Sequence, residues 1–191
     1  MNPRKASGAA VLSLAILVGC QGGDASEPEE ASTPYKALEA YGGDPHHPVL
    51  VVSDDPIARF AESELEMRVN AHRNALGLDA LRIMPELKDL ALAHSIHMGR
   101  HEPAFFDHRN PEGDLPEHRA ERLLELGSFV SMGENIAAGQ SAAEAVFRSW
   151  LDSPSHRANL EDPKWTHMGA GHAILPDSPY VTYWTLDLIE R

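Results

Sequence analysis

Polar side chains suited to chemistry gather in the second half of the chain. Gly133-Glu134-Asn135 sets a carboxylate beside an amide, and Ser153-Pro154-Ser155-His156-Arg157 sets an imidazole among hydroxyls. Both groups fall where regular structure is expected to begin or break, and polar groups held on loops by a rigid element are where binding and chemistry concentrate. Pro154 suits the first position of a short helix with Ser153 as its cap, which puts His156 in the first turn. A helix N-terminus disfavours the imidazolium, so a neutral, ligand-ready imidazole is expected there. His108 directly follows Phe105-Phe106, and those rings, expected as core anchors, would fix its position. Glu134 and Asn135 also have a structural reading: Asn135 tolerates the turn after Gly133, and Glu134 accepts backbone N–H bonds. The two readings are compatible.

Other polar groups carry less. His94, His97 and His101 stand partly on one helix face and could form a metal stripe; one core histidine and two surface ones is the simpler expectation. Ser153 or Ser155 beside His156 could suggest a nucleophile, yet no Gly-x-Ser-x-Gly elbow surrounds either. There is no His-Glu-x-x-His pairing. His167 and His172 flank the Met168–Gly171 stretch and receive no role.

The element that must position these groups is the helix between them. Ser141 followed by Glu144 reads as a capping box. Ala143, Val146, Phe147, Trp150 and Leu151 then share one face at a period of 3.6, and Pro154 ends the run. Upstream, Ala61 to Leu76 places Leu65, Val69, His72 and Leu76 on one face, with Gly77 as the stop. Pro85 to about Arg100 is a second helix, with Leu87, Leu90, Ala91, His94 and Met98 inward. Pro103 to Pro116 is a loop, Glu117 to Leu126 a third helix, and Phe129 to Met132 a short strand leading into Gly133. Met168 to Leu175 and Tyr180 to Leu188 read as antiparallel strands about the turn Pro176-Asp177-Ser178-Pro179. Helices followed by a hairpin make an α+β arrangement, helices packed on a small, mainly antiparallel sheet.

The chain has 191 residues, one cysteine and a formal net charge of −13. It lacks a basic run, so no nucleic-acid partner is expected. Arg4 and Lys5 precede an apolar run, Ala9 to Val18, too short to span a bilayer stably. It ends in Leu17-Val18-Gly19-Cys20, which resembles the lipobox of bacterial lipoproteins, whose cysteine is the lipid-modified first residue of the cleaved chain. Residues 1–19 are therefore expected as a lipoprotein signal peptide and Cys20 as the lipidation site. The alternative is an ordinary secretory signal with a chance cysteine. Residues 20–56 are acidic and proline-rich, too poor in apolar area to offset chain entropy, and are expected to form a flexible tether. His46-His47 within it reads as solvated, and order is expected over 57–191.

Several stretches together resemble a known family. Asn70 and Arg73, Phe105-Phe106-Asp107-His108 with Gly113, Gly133-Glu134-Asn135-Ile136-Ala137, Trp150 to Leu160, Met168-Gly169-Ala170-Gly171 and Tyr183-Trp184 occur in the order of the CAP superfamily. That superfamily covers cysteine-rich secretory proteins, antigen 5 and plant pathogenesis-related 1 proteins, and the likeness is strongest to its bacterial SCP-like branch. The resemblance implies an α–β–α sandwich with a surface cleft lined by two His and two Glu able to hold a divalent ion. His108, Glu134 and His156 match three of these; the fourth place holds Ser153. Two imidazoles and one carboxylate with open positions could bind zinc, Glu134 then serving as general base in a metal-dependent hydrolase acting on envelope peptides. The missing fourth ligand weakens a metal site; the expected role is binding rather than turnover, with a scaffold whose cleft is vestigial as a further alternative. The cleft, with His108, Glu134, Asn135 and His156, would take a lipid or other hydrophobic or cell-envelope ligand, with weak divalent metal binding or none. The chain would sit in the bacterial envelope, anchored to a membrane through Cys20 and facing the periplasm or exterior.

Overall fold

The computed structural model describes residues 56–100, 106–110, 113–123 and 129–191. The expected signal segment, the tether, Cys20, His46-His47, His101 and Phe105 lie outside the described residues. In chain order the elements are α1 (Pro56–Ala75), β1 (Arg82–Ile83), α2 (Pro85–Arg100), α3 (Pro116–Leu123), β2 (Ser131–Ala138), α4 (Ala143–Asp152), α5 (Pro154–Glu161), β3 (His167–Ile174) and β4 (Thr182–Glu190). The strands form one sheet in the order β1-β3-β4-β2. The short β1 runs parallel to β3, and the other pairs are antiparallel.

Alternation along the strands sends successive side chains to opposite faces, and helices cover both. Trp184, Leu186 and Leu188 of β4 and Met168 and Ala170 of β3 pack against Leu65 and Val69 of α1, Val146 and Trp150 of α4, and Leu160 of α5. On the other face, Leu87 and Leu90 of α2 and Ala120 of α3 meet Ile189. Met98 of α2 meets Ile136 and Tyr183 there. The result is the expected α–β–α sandwich. Because both faces of β4 are covered, it is buried from Thr182 to Ile189 with no polar face.

Two local features set the layer spacing. A Cβ on Gly169 would run into the backbone of Leu87–Lys88, and one on Gly171 into that of Ala91–Leu92, so α2 lies directly on β3. At the end of α1, Gly77 adopts φ +76. The Leu78 amide donates to the Arg73 carbonyl at 2.9 Å and the Gly77 amide to that of Asn74 at 3.0 Å. This is a Schellman cap on the glycine expected to stop the helix.

The structure departs from the sequence reading in four places. Gly133, Glu134 and Asn135 lie inside β2 and not on a turn. Residue-by-residue pairing with β4 outweighs the weak strand propensity of these residues. Gly133 is required for space, since a Cβ there would stand 2.7 Å from the Trp165 ring. The capping box does not form: α4 begins at Ala143 with Ala142 at the cap and no side-chain cap bond. Glu144 instead pairs with Arg148 at 2.7 Å and Arg68 at 3.3 Å. Phe106 is 48% exposed and no core anchor; its ring lies against Tyr180. Leu76, one residue past the end of α1, is turned out to solvent. The expected third helix is α3, and residues 124–128 beyond it lie outside the described residues.

Candidate functional site

The site is built on β2, the outer strand of the sheet. Strand alternation turns Glu134 towards the layer of α2 and α3 and Asn135 towards α5. The Glu134 side chain is 1% exposed, and both its oxygens are engaged. Oε1 accepts from His108 Nδ1 at 2.9 Å. Oε2 accepts from Nη2 of Arg119, which α3 carries into the core with its side chain fully buried. Burial works to raise the Glu134 pKa, but the His108 hydrogen bond and the positive groups around it win and hold it below the usual carboxylate value. Glu134 is therefore an anion at neutral pH and can only accept. It follows that His108 Nδ1 carries a proton and donates it to Glu134.

The His108 segment is pinned from below. Arg119 Nη1 donates to the His108 carbonyl and, at 3.3 Å, to that of Asp114. His94 Nε2 lies 3.0 Å from the Asp107 carbonyl, which accepts only, so this nitrogen holds the proton. Burial drives the His94 pKa down to about 4, the Glu134 charge opposing, so the ring is neutral. Gly113, at φ +89, closes a turn in which the Asn110 amide donates to the Asp114 carbonyl at 3.0 Å. The outcome is a half-exposed imidazole, its side chain 45% accessible, standing on a buried ion pair.

His156 approaches from the other helical layer. Its carbonyl accepts from Asn135 Nδ2 at 3.1 Å, while Asn159 Nδ2 bridges the Asn135 side chain at 3.0 Å and the Glu134 carbonyl at 3.2 Å. Ser153 caps α5 by position, with Pro154 next, but its hydroxyl bonds His156 Nδ1 at 2.9 Å and no backbone amide. Burial above all lowers the His156 pKa, which favours the neutral imidazole expected at this helix start. Asn135 is fully buried and its amide is engaged with α5, so it braces the site and does not line it.

Sequence reading missed three groups. Arg119 sits on a strongly charged short helix, where no local pattern singles it out. His94 was placed in the core without a link to His108. Asp187 lies opposite both Glu134 and Gly169 in the sheet and is fully buried, and neither of its oxygens has a hydrogen-bond partner among the described residues. Burial and then the Glu134 charge push its pKa well above the usual range, against the pull of Arg119.

Whether these residues suit a divalent ion can be judged from the donors. Among the described residues, no three His, Cys, Asp or Glu side chains are grouped closely enough to hold one. Glu134 has no free oxygen, and a permanent cation already lies against it. The three-ligand set implied by the resemblance therefore does not fit here.

A four-stranded sheet between helical layers is the arrangement of an SCP-like domain. The chain belongs to the CAP family, the cysteine-rich secretory protein family, whose model matches residues 67–188. It is 35% identical over 117 residues to the uncharacterized protein YkwD of Bacillus subtilis, covering 61% of this chain and 43% of that protein. It is 30% identical over 124 residues to the uncharacterized membrane protein YlbC of the same organism, covering 63% and 34%. The chain thus spans less than half the length of these curated relatives. Among solved structures, an extracellular SCP-domain protein of Bacillus anthracis superposes with TM-score 0.63 at 27% identity, over 78% of this chain and 45% of that one. An outer surface protein of Borrelia burgdorferi, at 24% identity and TM-score 0.60, shares the fold over 68% of this chain and 91% of its own.

Proposed function

We propose that this chain is an envelope-anchored binding module whose site at the outer strand takes a hydrophobic or cell-envelope ligand. The observation that carries the reading is the half-exposed His108 held on a fully buried carboxylate–guanidinium pair. Such a base holds the ring by Nδ1 and leaves Nε2 as the polar contact for a ligand hydroxyl or amide. Two residues before His108 in the chain, Phe106 lies against Tyr180 with ring centres 6.4 Å apart, both about half exposed, and the pair offers apolar surface. Polar groups that orient and apolar surface that binds are the usual division of work in a ligand site. The hydrolase alternative has less support. It needs Glu134 to reach a water, and both oxygens of that side chain are buried and occupied.

The extracellular description of the Bacillus anthracis protein and the membrane description of YlbC support an envelope location. Lipidation at Cys20 would supply the anchor. Substituting Cys20→Ala should move the chain from the membrane fraction to the soluble fraction; an unchanged distribution removes the anchor. The binding role is tested by native mass spectrometry of the full chain carrying Cys20→Ala. An apolar or envelope-derived molecule should be retained, and His108→Ala should weaken retention by about tenfold, the loss of one good polar contact. Equal retention by both proteins, or none by either, contradicts the reading.

A further inference from the structure

Arg119 is the buried cation beneath His108, and its reach extends beyond the pair with Glu134. One guanidinium reaches three separate segments: the Glu134 carboxylate on β2, the His108 carbonyl, and the Asp114 carbonyl that closes the next turn. Both charged partners are buried, Arg119 at 0% and Glu134 at 1% side-chain exposure. A planar fork with several fixed donors can serve acceptors in different directions at once, which a lysine ammonium on a flexible stem cannot hold in the same geometry.

We infer that Arg119 is the positioning residue of this site: it supplies the built-in counter-ion of Glu134 and thereby fixes His108 in one tautomer without any metal. Each link is on the structure. Arg119 neutralises and orients Glu134, Glu134 accepts the His108 Nδ1 proton, and Arg119 holds the same residue by its backbone. A histidine bound at ring and carbonyl has one orientation available. In metal proteins an ion commonly sets the tautomer of a ligating histidine while a carboxylate holds its other nitrogen. Here the carboxylate is present, and the cation beside it is a side chain. The inference concerns how the site is assembled and is independent of which ligand enters it.

The test uses the full chain and NMR of the histidine ring nitrogens, whose couplings distinguish the two neutral tautomers. In the unmodified protein His108 should show a single Nδ1-protonated form, unchanged by excess EDTA. In Arg119→Met, with folding judged from dispersed tryptophan indole signals, His108 should become a mixture of tautomers. Averaging of His108 in the unmodified protein on adding EDTA overturns the inference, as does a folded Arg119→Met with the tautomer intact. Should Arg119→Met fail to fold, Arg119→Lys carries the test, since it keeps a charge opposite Glu134 but cannot span the carbonyls. The Asn110 amide should then exchange about tenfold faster than in the unmodified protein while α2 amides are unchanged. Unchanged exchange at Asn110 overturns the inference.

Discussion

At the scale of single residues, the chemistry of this domain is decided by a few ionisable groups that water cannot reach. His94 is held neutral, with a pKa lowered from 6.5 to about 4. An unfolded chain takes up that proton near 6.5 and the folded one does not, so stability from this group is present above 6.5 and is lost as pH falls towards 4. The difference amounts to roughly 3 kcal/mol for a fully buried ring. Asp187 acts in the opposite sense. Its pKa is raised above 3.8, so the folded state keeps a proton that the unfolded state releases, and stability falls as pH rises above 3.8. The two effects partly cancel. Asp187→Asn removes the second while keeping the shape, and its amide can donate to Glu134. It should raise stability at pH 8 by about 1–3 kcal/mol, and its stability should climb more steeply between pH 4 and 6.5 than that of the unmodified chain. Urea unfolding across this pH range checks it; a destabilised Asp187→Asn at pH 8 would show that the carboxyl is ionised and needed.

At the scale of elements, close contact between α2 and β3 is the feature most exposed to substitution. Gly171→Ala places a methyl against the backbone of Ala91–Leu92, which has no rotamer with which to yield. A loss of about 1–3 kcal/mol, or more, is expected by urea unfolding; a change within 0.5 kcal/mol, the range of neutral surface substitutions, would mean that the layers sit farther apart. Beyond β1, the outer edge of β3 is also guarded: Glu66 accepts the Ala170 amide at 3.1 Å and Glu62 the His172 amide at 3.0 Å. Lys88 lies 3.4 Å from Glu66 and 3.5 Å from Glu62. Side chains thus receive edge amides that would otherwise be left without a partner strand. The helices were legible because their apolar period is strong, as at Leu87, Leu90, Ala91, His94 and Met98, all buried. The β3–β4 hairpin was legible from its composition. β2 was not, because Gly, Glu and Asn are poor strand formers and only pairing with β4 makes them one. His108 and Glu134 were found as separate motifs and do meet. Arg119 and Asp187 were missed for different reasons. Arg119 is one charge among several on a short helix, and nothing local says that it points inward. Asp187, by contrast, stands in a run of apolar and β-branched residues that marks a strand without showing that both of its faces are covered.

At the scale of the whole molecule, a sandwich of helices and sheet serves to bring three distant segments to one strand. β2 is bonded to the sheet along one edge only, so side chains from α3 and the His108 segment reach it on one face and α5 on the other. No helix among the described residues is long and apolar enough to cross a membrane. Everything at the site stands on the buried pair of Arg119 and Glu134. A double-mutant cycle of Arg119→Met, Glu134→Gln and the two combined, measured by urea unfolding, tests that pair directly. Each single change should cost about 3–5 kcal/mol by leaving a buried charge alone, and the double should cost less than their sum by at least about 2 kcal/mol. Strictly additive losses would mean that the two side chains do not meet, and His108 would then have no fixed base.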